Sequence, residues 1–261
     1  MAKRSAPSAS GDPMPLARTL IEHAYTRLRE DIVTGQLVPG EKLRVAHLKT
    51  RYGVSAGTLR EAITRLASDA LVLTEGQRGF RVAPIAIEDL EDVANLRVQI
   101  ETEALRQSIR AGGARWRERM EQAYAAISAE EPIAPERRRQ WEELNLRFHE
   151  ALLSGHDSPW TLRVLRLLSR HTERYRSFAM ALPGGVRNVH AEHAEIFECA
   201  MAGQDARAAL ALEAHIRATP DLLIKALRAG RISLPGSTVA LGGEVFLNAA
   251  TGPADVCAVL A

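Results

Sequence analysis

His149, His193 and His215, together with Asn145, are the residues of this chain whose types and spacing suit metal chemistry. Asn145 and His149 stand four apart, so on a helix they share one face. His193 falls on a later predicted helix and His215 on the next one. Three imidazoles and one amide oxygen from three helices can converge inside a bundle. That donor set suits a borderline divalent ion such as Zn²⁺ or Ni²⁺. Three histidines also leave positions for water or for a carboxylate-bearing ligand. The same spacing describes ordinary core or surface histidines on amphipathic helices, so spacing alone leaves both readings open.

The motifs of metal and nucleotide catalysis are missing. The sequence has no Glu-x-x-His of the kind that builds di-iron bundles. It also has no His-Glu-x-x-His and no phosphate-cradling glycine loop. The expectation is therefore that the chain is not an enzyme. A helical-bundle metalloenzyme with an accessory N-terminal unit is the alternative of another class.

A second group of residues suits a polyanion. Residues 1–83 carry 13 Lys and Arg against 8 Asp and Glu, whereas 84–261 carry 21 against 24. A basic first third joined to a mildly acidic remainder suggests a nucleic-acid-facing module attached to something else. Arg44, Lys49, Arg51, Arg60, Gln77 and Arg78 are its candidate DNA contacts, with Ser55, Gly57 and Thr58 beside them. Lys49, Arg51 and Arg78 are placed for phosphates. Arg60 can fork onto a guanine edge, and small Gly57 and Thr58 permit close approach to the groove.

Elements must hold these groups in place. A first helix is predicted from about Leu16 to Thr34, with Leu20, Ala24, Leu28 and Ile32 on one stripe. A short helix follows over Val45–Tyr52, stopped by Gly53. Ser55 then N-caps a third helix reaching about Ala70. There Leu59, Ile63 and Leu66 form the buried stripe, while Gly57, Arg60 and Thr64 face outward. Two extended segments, 71–74 and 80–83, flank a turn with two glycines and read as a hairpin. Three helices and a hairpin make a winged helix-turn-helix, whose third helix enters the major groove while the second braces it.

Beyond Pro84 nearly everything reads as helix: about 87–111, 115–129, 137–154, 159–181, 186–202 and 205–228, broken by glycine and proline. In the first of these the apolar set is Leu90, Val93, Leu96, Ile100, Ala104 and Leu105. Short connections imply an antiparallel bundle. The expected architecture is thus mainly α. A flexible tail (1–15) precedes the winged helix-turn-helix (16–84), which is followed by an all-α antiparallel bundle (85–230). Residues 231–261, where glycines interrupt short apolar runs, read as a weak hairpin or loose tail of unknown role.

Hydrophobic residues are 46% and charged residues 25%, the balance of a soluble globular protein. Cys199 and Cys257 form no Cys-x-x-Cys pair, which suits a reducing compartment. No run approaches the ~18–20 apolar residues of a membrane helix, and the start lacks a secretion-type apolar stretch. The expected location is the cytoplasm, with no membrane partner.

The stretch Tyr25-x-x-Leu28-Arg29-x-x-Ile32-x-x-Gly35-x-Leu37-x-Pro39-Gly40 resembles the opening of GntR-family regulators. Tyr52-Gly53-Val54-Ser55-x-x-Thr58-Leu59-Arg60-Glu61-Ala62-Ile63-x-x-Leu66 resembles their recognition helix, and Arg78-Gly79-Phe80-x-Val82 their wing. Ala46 and Ala56 stand where members of the family often carry Arg, so this resemblance does not carry over the family's usual operator. Residues 87–230 resemble the ligand-binding FCD domain of the FadR subfamily. The resemblance rests on Leu96-Arg97-x-x-Ile100-Glu101, Phe148-His149-x-x-Leu152, His193-x-x-Ile196 and His215.

The resemblance implies a homodimeric, DNA-binding transcriptional regulator controlled by a small organic acid. That effector would be held with a divalent metal, Zn or Ni, on Asn145, His149, His193 and His215. Asn145 occupies the position of the usual Asp, and His190 is an alternative donor. By the same analogy Arg97 meets the effector's carboxylate, or else pairs with a Glu inside the bundle. A dimeric DNA-binding protein without an effector is the remaining alternative.

Overall fold

The computed structural model describes residues 14–180, 187–229, 238–241 and 244–247. Helix α1 (Met14–Val33) buries Ala24, Leu28 and Ile32, spaced four apart. Leu20, one turn earlier, is 43% exposed, so the predicted stripe outruns the core it faces. Strand β1 (Lys42–Leu43) leads into α2 (Val45–Tyr52) and α3 (Ala56–Ser68). Between the helices, Gly53 adopts φ 65°, ψ 29°, and its N–H reaches the Lys49 carbonyl. A left-handed residue there costs glycine nothing, because it has no Cβ.

Strands β2 (Val72–Thr74) and β3 (Phe80–Val82) form the expected hairpin, with a 3-10 turn at Gly76–Arg78 between them. The sheet has a third strand that the sequence reading missed. The order is β1-β3-β2, with Lys42 opposite Arg81 and Leu43 opposite Phe80. Two residues are too short for an alternating pattern to show, and only the partner strand reveals them. One core joins α1, α2, α3 and the sheet through Leu28, Ile32, Leu48, Leu59, Ile63 and Val82.

The bundle comprises α4 (Ile87–Ala111), α5 (Ala114–Ser128), α6 (Arg138–Leu153), α7 (Pro159–Met180), α8 (Val189–Met201) and α9 (Asp205–Arg228). Its core holds Leu105, Trp116, Met120, Phe148, Leu152, Ile196 and Leu212. Helix α4 corrects the predicted apolar face. Leu96 is 41% exposed, and Arg97 and Glu101 are buried instead. The two charges point inward as a pair, which removes the cost of burying either alone.

A third, smaller core (Ile85, Leu90, Tyr175, Phe178, Ala179 and Leu223) lies where the chain passes between the two larger ones. Polar ties reinforce it. Arg29 of α1 forks onto Glu173 of α7. Arg170 reaches Asp69 at 3.1 Å, and the buried Arg174 donates to the Ala83 carbonyl at 2.8 Å. Strands β4 (Thr238–Leu241) and β5 (Glu244–Leu247) pair antiparallel, as a hairpin reading of that region requires. The tail residues 1–13 and the other residues of the C-terminal segment, Cys257 included, lie outside the described residues. No helix among the described residues is long and apolar enough to cross a membrane.

Candidate DNA-reading face and metal pocket

The Ser55 hydroxyl accepts from the Thr58 backbone N–H at 3.1 Å, capping α3 as its sequence position suggests. Leu59, Ala62, Ile63 and Leu66 are buried behind it, so the opposite side of the helix is free. Ser55, Gly57, Arg60 and Thr64 are exposed there and Thr58 is half-buried. A Cβ on Gly57 would meet only the Ser55 hydroxyl, at 3.7 Å, so that face is open.

Arg44, Lys49 and Arg78 are also exposed. Arg51 differs: its Nη2 lies 2.7 Å from Asp31, which also accepts from the Tyr52 hydroxyl. Arg51 is therefore partly occupied in holding α2 against α1. The Gln77 side chain lies outside what the structure describes.

The second site sits inside the bundle. His149 comes from α6, His193 from α8 and His215 from α9, and they are 2%, 0% and 9% exposed. One ring nitrogen from each lies within 4.8 Å of the others. His149 Nε2 and His215 Nε2 are 3.3 Å apart, and the buried His193 Nε2 has no hydrogen-bond partner. Asn145, 3% exposed on the same face of α6 as His149, also has an unpartnered Oδ1. Buried polar atoms without partners are rare enough to need a reason. His190, the alternative donor, is not in this cluster; it is half-exposed and turns its Nδ1 to Glu131 at 3.1 Å.

Behind each ring stands a carboxylate that the sequence reading did not assign. His193 Nδ1 is 2.9 Å from Glu131, and His215 Nδ1 is 2.9 Å from Glu192. His149 Nδ1 is 3.3 Å from Glu101, at ion-pair distance though outside good hydrogen-bond geometry. At His193 the carboxylate on Nδ1 holds the proton there and leaves the Nε2 lone pair free. His215 Nδ1 is instead shared between Glu192 and the Arg187 guanidinium, 3.1 Å away.

Burial pushes His149 down to about 4, outweighing the opposing pull of Glu101. His215 is driven well below the ordinary imidazole range by burial, then by His193 and Arg187. Burial would raise Glu101, but the Arg97 charge and His149 hold it at about 2. Near neutral pH these two rings are thus neutral donors and Glu101 is ionised. Donor type, orphaned atoms and the oriented His193 ring all fit a borderline divalent ion.

The adjoining cavity, about 30 Å³, has room for roughly two waters. Trp141, Asn145, His149, His215 and three guanidiniums, Arg97, Arg176 and Arg187, are among its lining residues. Each Arg is already paired: Arg97 with Glu101 at 2.5 Å, Arg176 with Glu142 at 2.5 Å, Arg187 with Glu192 at 2.5 Å. The intrabundle pair foreseen for Arg97 is present, and Arg97 still lines the cavity. Arg176 and Arg187 went unrecognised because no spacing links them to the histidines.

Arg176 has a second exposure. It also lines a cleft of about 320 Å³ between α1 and the bundle, beside Tyr25, Arg29, Glu142 and Glu173.

Comparison with known proteins bears on both sites. Residues 20–82 match the bacterial regulatory proteins of the gntR family, and residues 92–218 match the FCD domain. The chain is 41% identical over 221 residues to the HTH-type transcriptional regulator BphR of Paraburkholderia xenovorans (strain LB400). That alignment covers 81% of this chain and 89% of BphR. It is 29% identical over 212 residues to the HTH-type transcriptional repressor GlaR of Escherichia coli (strain K12), covering 79% and 96%. In fold it resembles the crystal structure of a transcriptional regulator, GntR, from Rhodococcus sp. RHA1. There the TM-score is 0.62 at 20% identity, over 80% of this chain and 99% of that one.

Proposed function

This chain belongs to the GntR family of bacterial regulatory proteins and is a transcriptional regulator with an FCD domain, not an enzyme; on that premise we propose that a metal-assisted small carboxylate controls its grip on DNA. The observation that carries this reading is the convergence of three buried imidazoles, each with a carboxylate at Nδ1, beside a cavity lined by three guanidiniums. His149, His193 and His215, with Asn145, would hold the ion. Bound there, a divalent ion supplies positive charge and an open position for an anionic oxygen. Arg97, Arg176 and Arg187 orient the rest of the effector, since a guanidinium fork matches a carboxylate.

The DNA contacts are Ser55, Gly57, Thr58 and Arg60 at the groove, with Arg44, Lys49, Arg51, Gln77 and Arg78 around them. Two copies as a homodimer would read half-sites about one helical turn apart or closer. The proposed place of action is the cytoplasm, where bacterial DNA lies.

Control requires the effector to bind two arrangements unequally. Moving the ratio from 1:99 to 99:1 takes about 5.5 kcal/mol of difference. Arg176 offers the route, since it faces both the cavity and the cleft where Arg29 ties α1 to Glu173. An anion drawing on Arg176 weakens its hold on Glu142 and changes the charges facing Arg29.

The test begins with an operator selected from random duplexes. Its affinity is then measured with and without Ni²⁺ and a panel of small carboxylates. Arg60→Ala is expected to weaken specific binding by about 1–3 kcal/mol. A His149→Ala, His193→Ala double variant is expected to bind DNA and ignore Ni²⁺ and the carboxylates. Operator binding in the wild type that never responds to them overturns the sensing reading. Unchanged affinity in Arg60→Ala removes that residue from the contacts.

A further inference from the structure

We infer that Asn145 makes cation and anion binding in this pocket mutually dependent, so that a divalent ion is held tightly only when a small carboxylate enters with it. This rests on the metal reading above and deepens it. The first ground is the donor set. Three imidazoles and one amide oxygen bring no negative charge to a dication. A charge transferred into a buried site without a counter-charge is strongly disfavoured.

The nearby carboxylates are engaged elsewhere. Glu101 faces His149 Nδ1 and Arg97, Glu192 faces His215 Nδ1 and Arg187, and Glu142 is held by Arg176. Glu131 accepts from His193, His190 and Trp141.

The second ground is the charge balance of this cluster. Arg97, Arg176 and Arg187 stand against Glu101, Glu131, Glu142 and Glu192, which leaves one negative charge. A dication turns that into one positive charge, and one carboxylate brings it to zero. An Asp at position 145 would reach the same balance with no ligand at all. The amide therefore leaves a vacancy of one charge, next to guanidiniums suited to a carboxylate and a cavity of about 30 Å³. The ligand class is accordingly a small anion presenting one carboxylate to the ion.

The experiment titrates Ni²⁺ into the metal-stripped full chain by calorimetry, in perchlorate medium, with and without millimolar acetate as the probe. Wild type is expected to bind Ni²⁺ about tenfold tighter or more with acetate present. By reciprocity, acetate is expected to raise the melting temperature of the wild type only when Ni²⁺ is also there. Asn145→Asp is expected to bind Ni²⁺ tightly without acetate and to respond by less than about threefold. Tight wild-type binding that ignores acetate overturns the inference while leaving the metal site standing. Failure of both proteins to bind Ni²⁺ in either medium overturns the metal reading and the inference with it. The two wild-type measurements decide the matter even where the variant folds poorly.

Discussion

Replacing Glu131 by Gln keeps the side chain's shape and removes its charge. The Glu131 side chain is 1% exposed and accepts from His193 Nδ1 at 2.9 Å, Trp141 Nε1 at 3.0 Å and His190 Nδ1 at 3.1 Å. A Gln offers one acceptor oxygen in place of two, and its NH₂ would oppose a ring N–H. His193 then loses the anionic partner that holds its proton on Nδ1 and leaves Nε2 free. Loss of such a partner typically lowers metal affinity by about 10–100-fold, or roughly 1.4–2.7 kcal/mol.

The effect carries into stability. Ion at about 100 times the wild-type Kd stabilises the wild type by about 2.7 kcal/mol, but the variant by only about 0.4–1.4 kcal/mol. Each kcal/mol moves the melting temperature of a protein of this size by about 2–4 °C. Ni²⁺ is therefore expected to raise it by about 5–11 °C in the wild type and about 1–6 °C in Glu131→Gln. Calorimetric titration with Ni²⁺ in acetate buffer, paired with thermal unfolding with and without the ion, measures both. Equal Ni²⁺ affinity in the two proteins would refute the idea that the carboxylate behind His193 tunes the site.

Other perturbations probe the frame around these sites. Gly155→Ala places a Cβ 2.6 Å from the Ser108 carbonyl oxygen and 2.9 Å from its Cα, backbone atoms that cannot swing away; urea unfolding is expected to show a loss of about 1–3 kcal/mol, and an unchanged midpoint would mean the junction of α4 and α6 is looser than it looks. Ser55→Ala removes the cap of α3 and is expected to cost about 1 kcal/mol in the same assay. Ser55→Gly, expected to lose only a few tenths, is the control.

Asp89 accepts from the Tyr175 hydroxyl at 2.7 Å and faces His171 Nε2 at 2.6 Å. Burial pulls its carboxyl upward, but these partners and the Arg174 charge hold it below the usual range. Its contribution is thus present above the unfolded carboxylate value of about 3.9 and lost as pH falls below it. Asp89→Asn is expected to flatten that acid limb of stability, and an identical pH profile would rule Asp89 out.

Much of this protein is legible from local pattern. Ser55, Gly53 and the spacing of Leu59, Ile63 and Leu66 determine where α3 starts and which side it buries, because capping and a 3.6-residue period depend on neighbours in the chain. The four residues proposed as metal ligands were found the same way, with help from the family resemblance. Other features belong to tertiary structure alone. Strand β1 exists only because β3 lies beside it. Arg97 and Glu101 displace Leu96 from the inner face because each neutralises the other in the interior. Glu131, Arg176 and the Arg187–Glu192 pair reach the pocket from three separate segments, in an arrangement that no sequence period encodes. Charges act through space, and which ones become neighbours is settled only when the helices pack.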